Sequence, residues 1–251
     1  MSVISVFMTL ALLTQAATAL ERAGQSAEDF WDQFTLVQCL ERVTQTSIQP
    51  GTKGVSSRIS EFDYVAFLAV KASGIAVQES RVPRADVPPP EDTNQFLLTS
   101  GFPALLLMFH PDVRRKFEFS ESRAPDSPAG TVRIAFKSKP GEQSLSAIKL
   151  KDRFFPIDWE GFAWIEEKTG KVIRIDAKLA QPMEDIGLAE LRAEVDYKMM
   201  PLPNSTESYQ LPARVIVSLR TAKRQWRNVH DYSGYKLFTV TTSTRAEPGV
   251  R

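Results

Sequence analysis

The chain has 251 residues, 43% hydrophobic and 24% charged, which suits a folded globular protein and excludes the apolar-poor, highly charged composition of a disordered one. Its 31 basic and 30 acidic residues leave a net charge of +1, so no global field draws it toward nucleic acid or another polyanion. The single cysteine, Cys39, excludes an internal disulfide and a cysteine-rich metal site. Beside Leu36, Val37 and Leu40 it reads as a buried structural thiol.

In chain order, no charge precedes Glu21. Val3 to Leu13 is almost wholly apolar, and the small residues Ala16-Ala17-Thr18-Ala19 follow. An apolar run of about 11 residues suits a signal peptide and falls short of the ~20 that span a bilayer. The expected organisation is a signal peptide over 1–19, cleaved after Ala17-Thr18-Ala19, and one β-rich domain over 20–251, in the periplasm or secreted. The segment departs from the usual pattern in lacking Lys or Arg before Val3, and an uncleaved membrane-associated segment is the alternative.

From Ser26 to about Val43, Phe30, Phe34, Val37 and Leu40 recur at steps of three and four, which predicts a helix with Ser26 as N-cap and Glu28 and Asp29 in its first turn. Ser47 to Ser57, with Pro50, Gly51 and Gly54, breaks it. The period then becomes two. Phe62, Tyr64, Ala66, Leu68 and Val70 alternate with polar positions, as do Val113, Arg115, Phe117 and Phe119, and Val132, Ile134 and Phe136. Ala189, Leu191, Ala193, Val195 and Tyr197 interleave with five charges in the cleanest strand of the chain. Phe162 to Ile165 and Val172 to Ile175 flank Glu167-Lys168-Thr169-Gly170 as a hairpin, with Gly170 supplying a positive φ. Two later strands are expected over 214–220 and 234–242, with 228–233 connecting them, and Pro212 belongs at an edge or bulge.

Ser100-Gly101-Phe102-Pro103 followed by Ala104 to Phe109 reads as a short apolar helix, capped by Ser100 and ending before His110-Pro111. Phe102, Leu105, Leu106 and Phe109 form one stripe, and a helix this apolar is either a core plug or a lid. Val82 to Asn94 and Glu121 to Gly130 read as loops.

Catalytic signatures are absent: there is no Gly-x-Ser-x-Gly, phosphate loop, His-Glu-x-x-His or cysteine pair. Gly51-Thr52-Lys53-Gly54 is turn chemistry. His110 has Asp112 nearby and His230 has Asp231, pairings that more often serve structure than catalysis. Phe162 and Trp164 share one strand face, as ligand wall or as core. Arg220, Lys223, Arg224 and Arg227 around Trp226 read as a solvated turn. No catalytic, cofactor-binding or metal-ligating residue and no cofactor is assigned.

The stretches Gly101-Phe102-Pro103-Ala104-Leu105-Leu106, Phe109-His110-Pro111 through Arg115-Lys116-Phe117-Glu118-Phe119, Gly161-Phe162-Ala163-Trp164-Ile165 with Thr169-Gly170-Lys171-Val172, and Asn228 to Phe238 resemble a group of uncharacterised exported proteins of acidobacteria-like bacteria. More remotely, the leader, N-terminal helix and run of antiparallel strands resemble the lipoprotein-carrier (LolA/LolB-like) architecture. That likeness implies an unclosed barrel that cups acyl chains, with helices as a plug.

The expected fold is mainly β (α+β). It is a single curved antiparallel sheet, half a barrel or nearly closed, with the N-terminal helix and the Pro103 to Phe109 helix on its concave side. The expected function is an exported binding or carrier protein for an apolar ligand such as a lipid or acyl chain, touched by Phe102, Leu105, Leu106, Phe109, Phe162 and Trp164, with no nucleic-acid partner. The alternatives are an envelope scaffold or interaction protein with a plugged barrel, and a hydrolase using His110 or His230.

Overall fold

The computed structural model describes residues 3–35, 37–48, 55–71, 74–84, 99–121, 127–142, 146–150, 153–203 and 205–237. Helix α1 (Val3–Phe34) leads into β1 (Val37–Ile48), β2 (Val55–Lys71), β3 (Gly74–Pro83) and the two-residue β4 (Thr99–Ser100). A 3-10 turn (Leu105–Phe109) and the short α2 (Pro111–Arg114) precede β5 (Phe117–Glu121), β6 (Thr131–Ser138), β7 (Ala147–Leu150) and β8 (Arg153–Pro156). The chain continues through β9 (Trp159–Glu166), β10 (Val172–Leu179), β11 (Leu188–Pro201), β12 (Ser208–Thr221) and β13 (Gln225–Leu237).

Ten strands form one curved antiparallel sheet in the order β3-β2-β1-β13-β12-β11-β10-β9-β6-β5, which does not close, and β4-β7-β8 form a second, small sheet. The order follows from two-residue periodicity. In β11, Leu191, Ala193, Val195 and Tyr197 are buried while Arg192, Glu194 and Asp196 turn outward. Those outer charges pair across strands, Arg192 with Asp176 and Arg174 with Glu194 and Asp196. Solvated pairs of this kind fix register more than they stabilise, at roughly 0–1 kcal/mol each. The inner face is apolar and needs cover. It receives the buried Ala23, Ala27, Phe30 and Phe34 of α1 and the whole Leu105–Phe109 turn. Each fully buried Phe or Leu contributes roughly 1.5–3 kcal/mol, so this cover holds the curved sheet together.

Several expectations are corrected. The helix expected over 26–43 ends at Phe34, and Val37 already belongs to β1. Val37, Cys39, Glu41 and Val43 point inward at a two-residue period, and pairing with both β2 and β13 outweighs local helical spacing. Ser26 is inside α1, and its hydroxyl donates to Gln210 Oε1 at 2.9 Å instead of capping. Val113 is in α2, so that strand starts only at Phe117. Ser100 lies in β4, and the residue at the N-cap position of the 3-10 turn is Ala104. Residues 228–233 are the middle of β13, and the chain reverses instead just after Thr221, whose N–H donates to Arg224 O at 2.9 Å. Val82 and Pro83 complete β3.

Other expectations hold. Gly170 closes the β9–β10 hairpin at φ 74°. Pro212 sits beside a bulge, where the β11–β12 register shifts between Asp196 and Tyr197. The turn at 51–54, most of the proline-rich loop and the strand expected beyond Leu237 lie outside the described residues.

Candidate functional site

The inner face has an apolar half and a polar half. On the apolar side, Phe30 stacks on Phe34 at 4.8 Å and meets Tyr197 edge-on at 6.0 Å. The Leu106 N–H donates to Tyr197 Oη at 3.1 Å, which ties the 3-10 turn to the sheet. Phe102 packs edge-on against Trp159 at 5.5 Å, and Phe109 meets Phe119 at 5.3 Å. Phe102, Leu105, Leu106 and Phe109 are therefore gathered in one place, although Leu107 and Met108 are buried there as well, so the turn has no solvent stripe.

Phe162 and Trp164 are not part of it. They lie on the outer face of β9, where Phe162 is 37% exposed with the Arg133 guanidinium 4.4 Å above its ring. The inner row of β9 is instead Trp159, Gly161, Ala163 and Ile165. A Cβ at Gly161 would lie 2.0 Å from Asp176 O, so the close approach of β9 to β10 leaves no room for a side chain at that position.

The polar half was not foreseen. Glu41, fully buried on β1, accepts from Arg81 of β3 (2.6 Å to Nε, 3.1 Å to Nη2), from the Tyr232 hydroxyl (2.9 Å), and faces His230 Nδ1 at 2.9 Å. Arg81 reaches on to Glu79 at 2.8 Å, and Glu79 accepts from Tyr64 Oη (3.0 Å) and Gly101 N (3.1 Å). Burial by itself raises the Glu41 carboxyl, but the Arg81 charge and the hydrogen bond with His230 outweigh it and hold the group down at about 2. Burial keeps the Tyr64 and Tyr232 hydroxyls well above their usual range, so both remain donors. An ionised Glu41 can only accept, so its contact with His230 is made by an Nδ1–H donor.

The pairings expected from neighbouring residues do not form at His230. Asp231 turns to the outer face and binds Arg214 at 2.6 Å. His110 caps α2, its Nδ1 accepting from Asp112 N at 3.3 Å. Among the described residues no group of three or more His, Cys, Asp or Glu side chains is placed to hold a metal. Cys39 is buried as expected, and desolvation pushes its thiol up to about 12. The sequence signal for Glu41 was its place in the alternation Val37, Cys39, Glu41, Val43, visible only once this segment is read as a strand.

A cavity of about 670 Å³ opens where β10 to β13 and β1 run out, bordered by Leu179, Leu191, Leu219 and Trp226, with Arg220 and Arg227 among its other lining residues. Arg220 pairs with Glu190.

No protein-family model matches the chain, and no curated protein matches it. Among solved structures, it is similar to a LolA superfamily protein from Nitrosomonas europaea, at 12% identity and a TM-score of 0.38, over 87% of this chain and 94% of the other. It is also similar to a DUF1329 family protein from Desulfovibrio piger, at 9% identity and a TM-score of 0.42, over 89% of this chain and 95% of the other.

Proposed function

We propose that the protein is an exported binding or carrier protein for an apolar ligand such as a lipid or acyl chain. The observation that carries this reading is the cavity of about 670 Å³ bordered by Leu179, Leu191, Leu219 and Trp226 at the open end of a curved sheet. Its volume is in the range of small-molecule sites, and Leu179, Leu191, Leu219 and Trp226 offer hydrocarbon an apolar wall beside the charged Lys178, Glu190, Arg192, Arg220 and Arg227. The Leu105–Phe109 turn, buried throughout, supports a role as plug. Export follows from the leader: cleavage between Ala19 and Leu20 leaves Ala23, Ala27, Phe30 and Phe34 in place, so the mature chain keeps the helix that covers the sheet. The mass of the exported protein then corresponds to a chain starting at Leu20.

The test is native mass spectrometry of the mature protein before and after organic extraction. An apolar adduct that is stripped and then restored by added lipid is expected. A protein that never carries or takes up such an adduct overturns the reading. A second reading, an envelope interaction protein, is favoured by Ile48, Val55 and Ile59, which are 41%, 62% and 46% exposed along β1 and β2. It predicts a stable protein partner in place of the lipid adduct.

A further inference from the structure

At the rim where the cavity opens, three neighbouring strands set one serine among three arginines. Ser218 of β12 has Arg192 of β11 directly opposite on one side and Arg227 of β13 directly opposite on the other, each about 5 Å away at the backbone. Arg220 follows two residues along β12, on the same face and about 7 Å further on. All four residues line the cavity of about 670 Å³. The charged lining of that cavity is one-sided, since Lys178, Arg192, Arg220 and Arg227 stand against the single carboxylate of Glu190.

Neighbouring carboxylates do not use up these donors. Lys178 pairs with Glu160, Arg192 with Asp176 and Arg220 with Glu190, but the Arg227 side chain makes no ion pair and no hydrogen bond among the described residues, and neither does the Ser218 hydroxyl. Arg192 spends Nε and Nη2 on Asp176, and Arg220 spends Nη2 on Glu190, which leaves Nη1 of each guanidinium to donate elsewhere. These pairs lie in solvent, where an ion pair contributes little, so an added anion competes with them at small cost. The same cavity also has accessible apolar lining in Ile48, 41% exposed, and the half-buried Leu179.

Donors that converge from three sides on one hydroxyl suit a group carrying three oxygens around one centre. A carboxylate has two oxygens in one plane, which a single guanidinium fork satisfies. A neutral head leaves Arg227 unpaired, and an ammonium is repelled. Building on the apolar-ligand reading, we propose that Arg192, Ser218, Arg220 and Arg227 hold the phosphate of a phosphate-headed amphiphile, whose hydrocarbon lies on Ile48, Leu179 and the rest of the cavity's apolar wall. Arg227 supplies the unspent charge, Arg192 and Arg220 their Nη1 donors, and Ser218 its hydroxyl.

The test is titration calorimetry of the full chain with dodecyl phosphate, dodecanoic acid, dodecanol and inorganic phosphate. Dodecyl phosphate is expected to bind roughly tenfold or more tighter than the other two dodecyl probes, and to lose that advantage in Arg227→Gln. Lys236→Gln removes the same charge from the same strand outside the cavity and is expected to change nothing; Ser218→Asp, which sets a carboxylate in the site, serves if Arg227→Gln does not fold. If dodecanol or dodecanoic acid binds as tightly as dodecyl phosphate, or Arg227→Gln and Ser218→Asp leave its affinity in place, the phosphate site is wrong and apolar binding stands. If inorganic phosphate displaces dodecyl phosphate at equal concentration, free phosphate is the occupant and the amphiphile is wrong. If no dodecyl probe binds, the apolar-ligand reading itself fails.

Discussion

The carboxylate of Glu41 lies 2.9 Å from His230 Nδ1, although the two residues are 189 positions apart in the chain. Register alone brings them together, since β1 lies against β13 in the sheet and Glu41 is paired with Tyr232, two residues beyond His230. The contact ties the start of the strand system to its end, and with Arg81 it extends to the third strand, β3.

Glu41 makes stability depend on acid. Its folded-state value of about 2 lies below the ordinary 4.5, so its stabilisation is present above about 4.5 and is lost as pH falls toward 2. The shift corresponds to roughly 3 kcal/mol. Urea titrations of Glu41→Gln at pH 7 should show a loss of about that size, through an Arg81 left short of one carboxylate. The gap to the unaltered protein should narrow steadily below about pH 4.5. A gap that stays constant down to pH 2.5 would contradict the assignment.

Tyr197→Phe removes the acceptor of the Leu106 N–H while keeping the ring against Phe30. A buried amide is left unsatisfied, so the expected cost is about 1–3 kcal/mol. Amide hydrogen exchange should quicken first in the Leu105–Phe109 turn. Unchanged protection there would show that the turn is held by packing alone.

Gly170 reports the contact between α1 and the β9–β10 hairpin. Its φ is 74°, and a Cβ there would lie 2.4 Å from the Arg22 backbone carbonyl carbon. Gly187 has a similar φ of 69° with nothing within 4 Å of that position. Alanine at Gly187 should cost only the left-handed strain, about 1 kcal/mol, whereas alanine at Gly170 should cost more and loosen α1. Equal melting temperatures for the two variants would mean that α1 does not rest on this turn.

The Cys39 thiol, pushed up to about 12 by burial, carries almost no thiolate at neutral pH. Modification by a thiol reagent in the native protein should therefore proceed at the rate of unfolding and rise with urea along the unfolding curve. A fast native reaction would place the thiol nearer solvent.

Much of the sheet was legible because strands with one wet face alternate visibly. The Ala189–Tyr197 stretch and the 161–179 hairpin stand where their patterns put them, and charges such as Arg192 and Glu194 mark the outer face. Reading failed where two periods coincide, as at Phe34 and Val37, or where both faces of a strand carry apolar residues. In β9, Phe162 and Trp164 promise more buried area than Ala163, yet the inner row is the one that holds Trp159, Ala163 and Ile165.

By itself, then, the sequence determined the class of fold, the existence of an apolar inner face and the apolar character of the Leu105–Phe109 segment, because these depend on local periodicity. Tertiary structure alone decided the polar half of that face. A glutamate, an arginine and a histidine spread over β1, β3 and β13 carry no shared local pattern. Their partnership is set by which strands lie side by side and in what register, a property of the assembled sheet.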